Sequence, residues 1–193
     1  MLNKLYQDWA YGCLPAALFT LVILVSCVHQ LTWSIFLVWM QTPFYLLHEF
    51  EEHAYPGKFR QFINLKLFES GNPAFPLTEA GVFWINIPMI WCLFPLMAIL
   101  TQHVSLSFGL TLPYFTLFNA TTHMIAASVK RSYNPGLFCS IVLNYPTCIY
   151  TIMYLNSHDH LSISANVWGF LFAIAGHLIM FGTVFSYYKW KKA

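Results

Sequence analysis

Within six consecutive positions, His48-Glu49-Phe50-Glu51-Glu52-His53, the chain places five ionisable side chains at the end of an apolar run that begins at Leu31. Only seven acidic residues occur in all 193, and three of them are here. Charged groups at the edge of a membrane helix are expensive to desolvate, so they have a partner or a task. His48, Glu51 and Glu52 are spaced i, i+3, i+4, which puts them on one face of a helix. An imidazole and two carboxylates on one face can hold a divalent cation or pass protons. Glu49 and His53 lie off that face and are expected among headgroups, paired with Lys58, Arg60 or Lys130.

Other polar residues interrupt apolar stretches farther along. Asn119 and His123 stand at i, i+4; Asn86, Asn134 and His177 occur singly. His48, Glu51, Glu52 and His123 form a His/carboxylate set of the kind that binds catalytic zinc or iron. His177 is a further candidate ligand, although a histidine beside Gly176 and Gly182 also suits helix packing. Glu51 and Glu52 are the candidate catalytic carboxylates, one of them serving as general base on water. Asn86, Asn119 and Asn134 are expected to orient ligands or to hydrogen-bond substrate. The spacing does not match H-E-x-x-H, because position 52 is glutamate, and paired E-x-x-H motifs are absent.

The elements that must position these residues are membrane helices. The composition is 58% hydrophobic and 8% charged, against about 25% charged in soluble domains. The reading is an all-α polytopic bundle, one transmembrane domain over 1–193, in contact with the lipid bilayer. Apolar runs predict six spans at 13–28, 31–50, 80–101, 104–128, 136–156 and 163–187. The short first run and the tight His29-Gln30 link leave a re-entrant hairpin open as an alternative to two crossings. Pro43, Pro88, Pro95, Pro113 and Pro146 fall inside apolar runs, where proline is tolerated and tends to kink a helix. All nine basic residues lie in alternate connections, which by the positive-inside rule puts both termini and the 54–79 connection in the cytoplasm.

That connection interleaves Phe59, Phe62, Ile63, Leu67 and Phe68 with Lys58, Arg60 and Lys66. It predicts a short amphipathic helix on the inner leaflet, serving as a linker or as a lid beside the acidic cluster. The five cysteines are scattered through apolar runs and read as small core residues. No phosphate-binding loop, dinucleotide fingerprint or G-x-S-x-G occurs, and nothing supports nucleic-acid binding.

The motif His48-x-x-Glu51-Glu52, an Asn86-bearing third span, the Asn119-x-x-x-His123 pair and the turn Tyr133-Asn134-Pro135-Gly136-Leu137 resemble a family of bacterial membrane proteins named for H-x-x-E-E. The resemblance runs from about Trp39 to Leu137 and implies a bacterial inner-membrane protein without an assigned activity. A looser similarity is to intramembrane CAAX-processing proteases, in which a Glu-Glu pair meets histidines from other helices. This chain departs from them in carrying Pro56 where they have arginine, and in the spacing of Phe118 to His123.

The leading expectation is a metal-dependent enzyme with its site in the cytoplasmic half of the bundle, acting on a hydrophobic or lipid-like substrate. Hydrolysis is the first reaction type and oxidation at iron the second. A proton-coupled transporter or channel using the Glu/His cluster as a relay, or a non-catalytic membrane subunit, are the alternatives.

Overall fold

The computed structural model describes residues 2–192, and all regular structure among them is helical. The long elements are α1 (Leu2–Ser26), α2 (Trp33–His53), α4 (Glu79–His103), α5 (Thr111–Lys130), α6 (Leu137–His158) and α7 (Ile163–Lys192). A short α3 (Phe59–Phe62), running on into a wide π turn at Ile63–Leu67, lies in the connection after α2.

Four of these, α1, α4, α6 and α7, are long and apolar enough to cross a membrane. Helices α2 and α5 have 21 and 20 residues but carry the polar side chains that lower their average hydropathy. The surface differs from that of a water-soluble protein: large apolar side chains face outward, while an apolar core also encloses polar groups. Phe19, Val22, Trp84, Met153, Trp168 and Ile179 are exposed, whereas Gln41, His48, Glu49, Asn119, His123 and Asn144 are buried. An apolar exterior over a core that also buries polar groups fits a protein embedded in a lipid bilayer.

Several boundaries differ from those read off apolar runs. Helical structure begins at Leu2 rather than at 13, with a 3₁₀ turn at Trp9–Gly12 joining the two parts of α1. Asn3, Lys4, Gln7 and Asp8 hid this stretch, because a search for apolar runs does not register a polar helix. The His29-Gln30 link is one 3₁₀ turn, after which the Thr32 hydroxyl accepts from Ile35 N at 3.3 Å and starts α2, an ordinary N-cap. Proline acts in α4 and α6 through π turns. The wide segments Ile87–Leu93 and Ser140–Asn144 each end two residues before a proline, Pro95 and Pro146. A proline ring clashes with the carbonyl four residues back, and an extra residue per turn moves that carbonyl aside.

Helix α2 is central: twelve of its 21 residues are buried, against α1, α4, α5 and α6. Its first turn is tied to the end of α6 by Ser34 Oγ donating to Asp159 at 2.6 Å. Midway, Gln41 donates to Thr151 Oγ1 at 3.1 Å and accepts from Cys148 Sγ at 3.2 Å. At the other end of the bundle, Gln7 donates to Glu79 at 3.0 Å, Arg60 pairs with Glu79 at 3.1 Å, and Lys130 with Glu69 at 3.2 Å.

The connection after α2 folds onto the bundle instead of only lying along a surface. Ile63, Asn64 and Leu77 are buried. Asn64, which sequence reading did not single out, organises it: its amide donates to Pro73 O at 2.9 Å and Leu77 O at 2.8 Å, and accepts from Leu77 N at 2.8 Å. Asn64→Ala is expected to cost about 2–4 kcal/mol by stranding these buried backbone groups. A lowered unfolding midpoint of the purified protein checks this, and an unchanged midpoint refutes it.

Candidate metal centre

The last turns of α2 carry two interlocked i, i+4 pairs, His48 with Glu52 and Glu49 with His53. Successive helical residues turn by about 100°, so the two pairs face different neighbours. His48 and Glu52 meet His123 of α5. His123 Nε2 lies 2.8 Å from Glu52 Oε1, and His48 Nε2 lies 3.3 Å from the same oxygen. His48, Glu52 and His123 are all buried, and their ligand atoms all fall within 4.8 Å of one another, a grouping able to hold a metal ion.

The asparagines expected nearby are present in distinct places. Asn134 clamps His123: the ring Nδ1 faces Asn134 Oδ1 at 2.6 Å, and Asn134 Nδ2 donates to the His123 carbonyl at 3.0 Å. With Nδ1–H donating to that oxygen, Nε2 is the ring atom presented to Glu52 and the one that a metal would take in place of a proton. Asn119 Nδ2 stands 3.0 Å from His48 Nε2. Asn86, at the head of the π turn in α4, reaches His53 Nε2 at 3.2 Å rather than the His48 group.

Gly136 forms the floor. It adopts φ +94°, and a Cβ built there would lie 2.7 Å from His48 Cε1 and 2.8 Å from both His123 Cε1 and Glu52 Cγ. Only glycine permits both that backbone conformation and that approach.

Two candidates are placed elsewhere. Glu51 is not in the ligand grouping. It accepts from Tyr133 Oη at 2.5 Å, Phe138 N at 3.0 Å and Cys139 N at 2.7 Å, so its carboxylate caps the positive start of α6. Adjacent glutamates diverge by about 100° on a helix, which sends Glu51 to α6 and Glu52 to α5. Desolvation raises the Tyr133 phenol well above its usual range, and the bond to Glu51 raises it further, which keeps it a donor. His177 is also outside the grouping. Its Nδ1 bonds Ala173 O at 2.8 Å, and its ring packs on Phe115 and Phe118 at centroid distances of 4.5 and 4.6 Å.

Glu49 and His53, expected among headgroups, are instead inside. Glu49 is 1% exposed. His53 Nε2 lies 3.2 Å from Glu52 Oε2 and 3.5 Å from Glu49 Oε2. Their own i, i+4 spacing is the sequence signal for this pair, although it lies off the His48 face. The aromatic ring of Phe59 closes the group from the connection side, 5.2 Å from His123 and 5.8 Å from His53.

Two cavities meet here. One of ≈ 170 Å³ is lined by polar groups including Gln7, Lys58, Arg60 and Glu79. The other, of ≈ 70 Å³, is lined by Tyr45, Ile85, Phe181 and Val184 together with Asn86 and Asn119. Glu52 and His53 border both. The arrangement can hold a cation between two imidazoles and a carboxylate, and of these three residues Glu52 is the one that borders both the polar and the apolar cavity.

No curated protein and no solved structure matches the chain. A family model described as "protein of unknown function with HXXEE motif" matches residues 39–151, a stretch that contains His48, Glu49, Glu51, Glu52, His53, Asn119, His123, Asn134 and Gly136. The chain belongs to the HXXEE-motif family.

Proposed function

We propose that this protein is a metal-dependent membrane enzyme of hydrolase type, acting on a hydrophobic or lipid-like substrate. The observation that carries the reading is the buried His48/Glu52/His123 grouping placed where a polar and an apolar cavity share Glu52 and His53. Two imidazoles and one carboxylate with open positions are the ligand set of catalytic zinc and of non-haem iron. A divalent ion bound there supplies a Lewis acid and lowers the pKa of water. The chain's own contribution is orientation and exclusion. Asn134 fixes the His123 ring, Gly136 lets the two imidazoles approach, and Phe59 shields the group from bulk water. Asn86 and Asn119 are placed to hydrogen-bond a substrate's polar end in the smaller cavity. Glu51 acts as a positioning residue.

The same reading takes all six long helices as spans of one domain in the bacterial inner membrane, with both termini cytoplasmic. In its support, Gln7, Arg60, Glu79, Lys130 and Glu69 interact at one end of the bundle, and Phe75 meets Tyr187 at 5.7 Å there. These contacts support a reading in which the connections bearing the basic residues share a side. Helices α2 and α5 cross despite their polarity because their polar faces are turned inward.

The test is turnover. Purified protein loaded with zinc or iron is incubated with extracted membrane lipids, and products are followed by mass spectrometry. Release of a polar fragment by wild type and not by Glu52→Gln is the expected result. Incorporation of oxygen in place of cleavage moves the reaction to the oxidative class, and a loaded protein inert on all lipid classes overturns the enzyme reading. A second reading draws on the buried chain His48–Glu52–His53–Glu49, with steps of 3.3, 3.2 and 3.5 Å, as a proton relay in a transporter. Proton flux through proteoliposomes of metal-free protein would favour it.

A further inference from the structure

Glu52 divides its two oxygens between two clusters. Oε1 faces His48 and His123, and Oε2 faces His53. On the Oε2 side, Glu49, Glu52 and His53 form a second grouping whose ligand atoms also lie within 4.8 Å of one another. We propose that the centre is dinuclear, with Glu52 bridging one divalent ion held by His48 and His123 and a second held by Glu49 and His53. The inference rests on the metal-dependent reading above and adds a site to it.

Three observations carry it. First, Glu49 is 1% exposed, and its Oε2, directed toward His53 at 3.5 Å, has no hydrogen-bond partner. A buried carboxylate oxygen left bare is costly, and a cation would satisfy it. Second, among the described residues no lysine or arginine comes within ion-pair distance of Glu49 or Glu52. Arg60 is paired with Glu79 and Lys130 with Glu69, and helix α6 is served by Glu51. The two buried carboxylates have only histidines beside them. Third, the geometry suits a bridge. Two-metal sites hold their ions about 3.5–4 Å apart, a spacing that one carboxylate spans by giving an oxygen to each. The Glu49 side borders the ≈ 70 Å³ cavity, so the second ion would face the apolar entry, with Asn86 beside His53 at 3.2 Å.

The paired motif differs from that of helical di-iron proteins, in which E-x-x-H repeats come from separate helices. Here both i, i+4 pairs, His48 with Glu52 and Glu49 with His53, lie on α2 alone, and α5 contributes one histidine.

The experiment is metal stoichiometry by elemental analysis on purified, manganese-loaded protein, read beside its electron paramagnetic resonance spectrum. Wild type is expected to hold two ions per chain and to show an exchange-coupled spectrum. Glu49→Gln and His53→Asn are each expected to hold one ion, with an isolated Mn²⁺ signal. Glu52→Gln is expected to lose at least one ion and all coupling. A wild type that saturates at one ion, kept in Glu49→Gln and lost in His123→Ala, overturns the second site and leaves the first standing. A wild type that binds none overturns both. The wild-type spectrum needs no variant, so an uncoupled signal at saturation refutes the bridge even if Glu49→Gln fails to fold.

Discussion

Gly136→Ala is expected to abolish metal binding by the His48/Glu52/His123 group and to lower stability by about 2–4 kcal/mol. The estimate combines overpacking, typically 1–3 kcal/mol, with about 1 kcal/mol for an L-residue held at positive φ. The added methyl would meet His48 Cε1, His123 Cε1 and Glu52 Cγ at 2.7–2.8 Å. None of these neighbours can yield freely: His123 is clamped by Asn134, and both α2 residues sit on a packed helix. The methyl therefore separates the groups that must converge. Gly71→Ala is the control, since Gly71 also has positive φ (+69°) but nothing within 4 Å. That variant should show only the backbone cost and keep its metal. Metal content and unfolding midpoint, measured for both, check the prediction. A Gly136→Ala protein that retains full metal content would show that the glycine does not form the site's floor.

The second large effect separates two adjacent glutamates. Glu51→Ala is expected to destabilise the fold by about 2–4 kcal/mol, the scale for leaving buried hydrogen-bond donors without an acceptor. It strands the Tyr133 hydroxyl and the Phe138 and Cys139 N–H groups, and it unpins the start of α6. Glu51→Gln should recover part of the loss, because one amide oxygen can still accept. Glu52→Gln should behave in the opposite sense. It is expected to lose at least one ion, and its structural cost falls on the His48, His53 and His123 side chains, because no backbone donor depends on Glu52. Melting curves of the three variants with and without metal distinguish these outcomes. Equal destabilisation by Glu51→Ala and Glu52→Gln would collapse the division of labour between them.

The all-helical architecture was legible in the sequence because apolar runs of membrane length have few other uses. Six long helices overlap the six runs, with ends displaced where a helix is polar, as at Leu2–Asp8, or where a 3₁₀ turn precedes it, as at Leu106–Leu110. The grouping of His48, Glu52 and His123 was legible from spacing and from the depth each residue would have. The separation of Glu51 from Glu52 was not. An i, i+3, i+4 pattern gives a shared face only to within about 100°, and the choice between neighbours belongs to tertiary packing against α5 and α6. Glu49 and His53 were misassigned for a related reason. Their position off one face points to the headgroups, whereas a central helix is enclosed by neighbours on that side as well. Asn64 carried no motif at all; its role depends on a loop that closes back on it at Pro73 and Leu77.

The cap that Glu51 places on α6 also governs when the centre comes into being. The H-x-x-E-E residues are complete once position 52 has been synthesised, but the partners of Glu51 lie 82, 87 and 88 residues later in the chain, and His123 and Gly136 also follow. During membrane insertion the buried carboxylates of α2 must therefore wait for nearly half of the chain without their final surroundings. Until Cys139 emerges, an ion captured by α2 alone would have no imidazole from α5, no floor and no fixed helix behind it. The grouping of His48, Glu52 and His123 therefore cannot exist until His123 has been made, and the motif by which the family is recognised supplies only part of it.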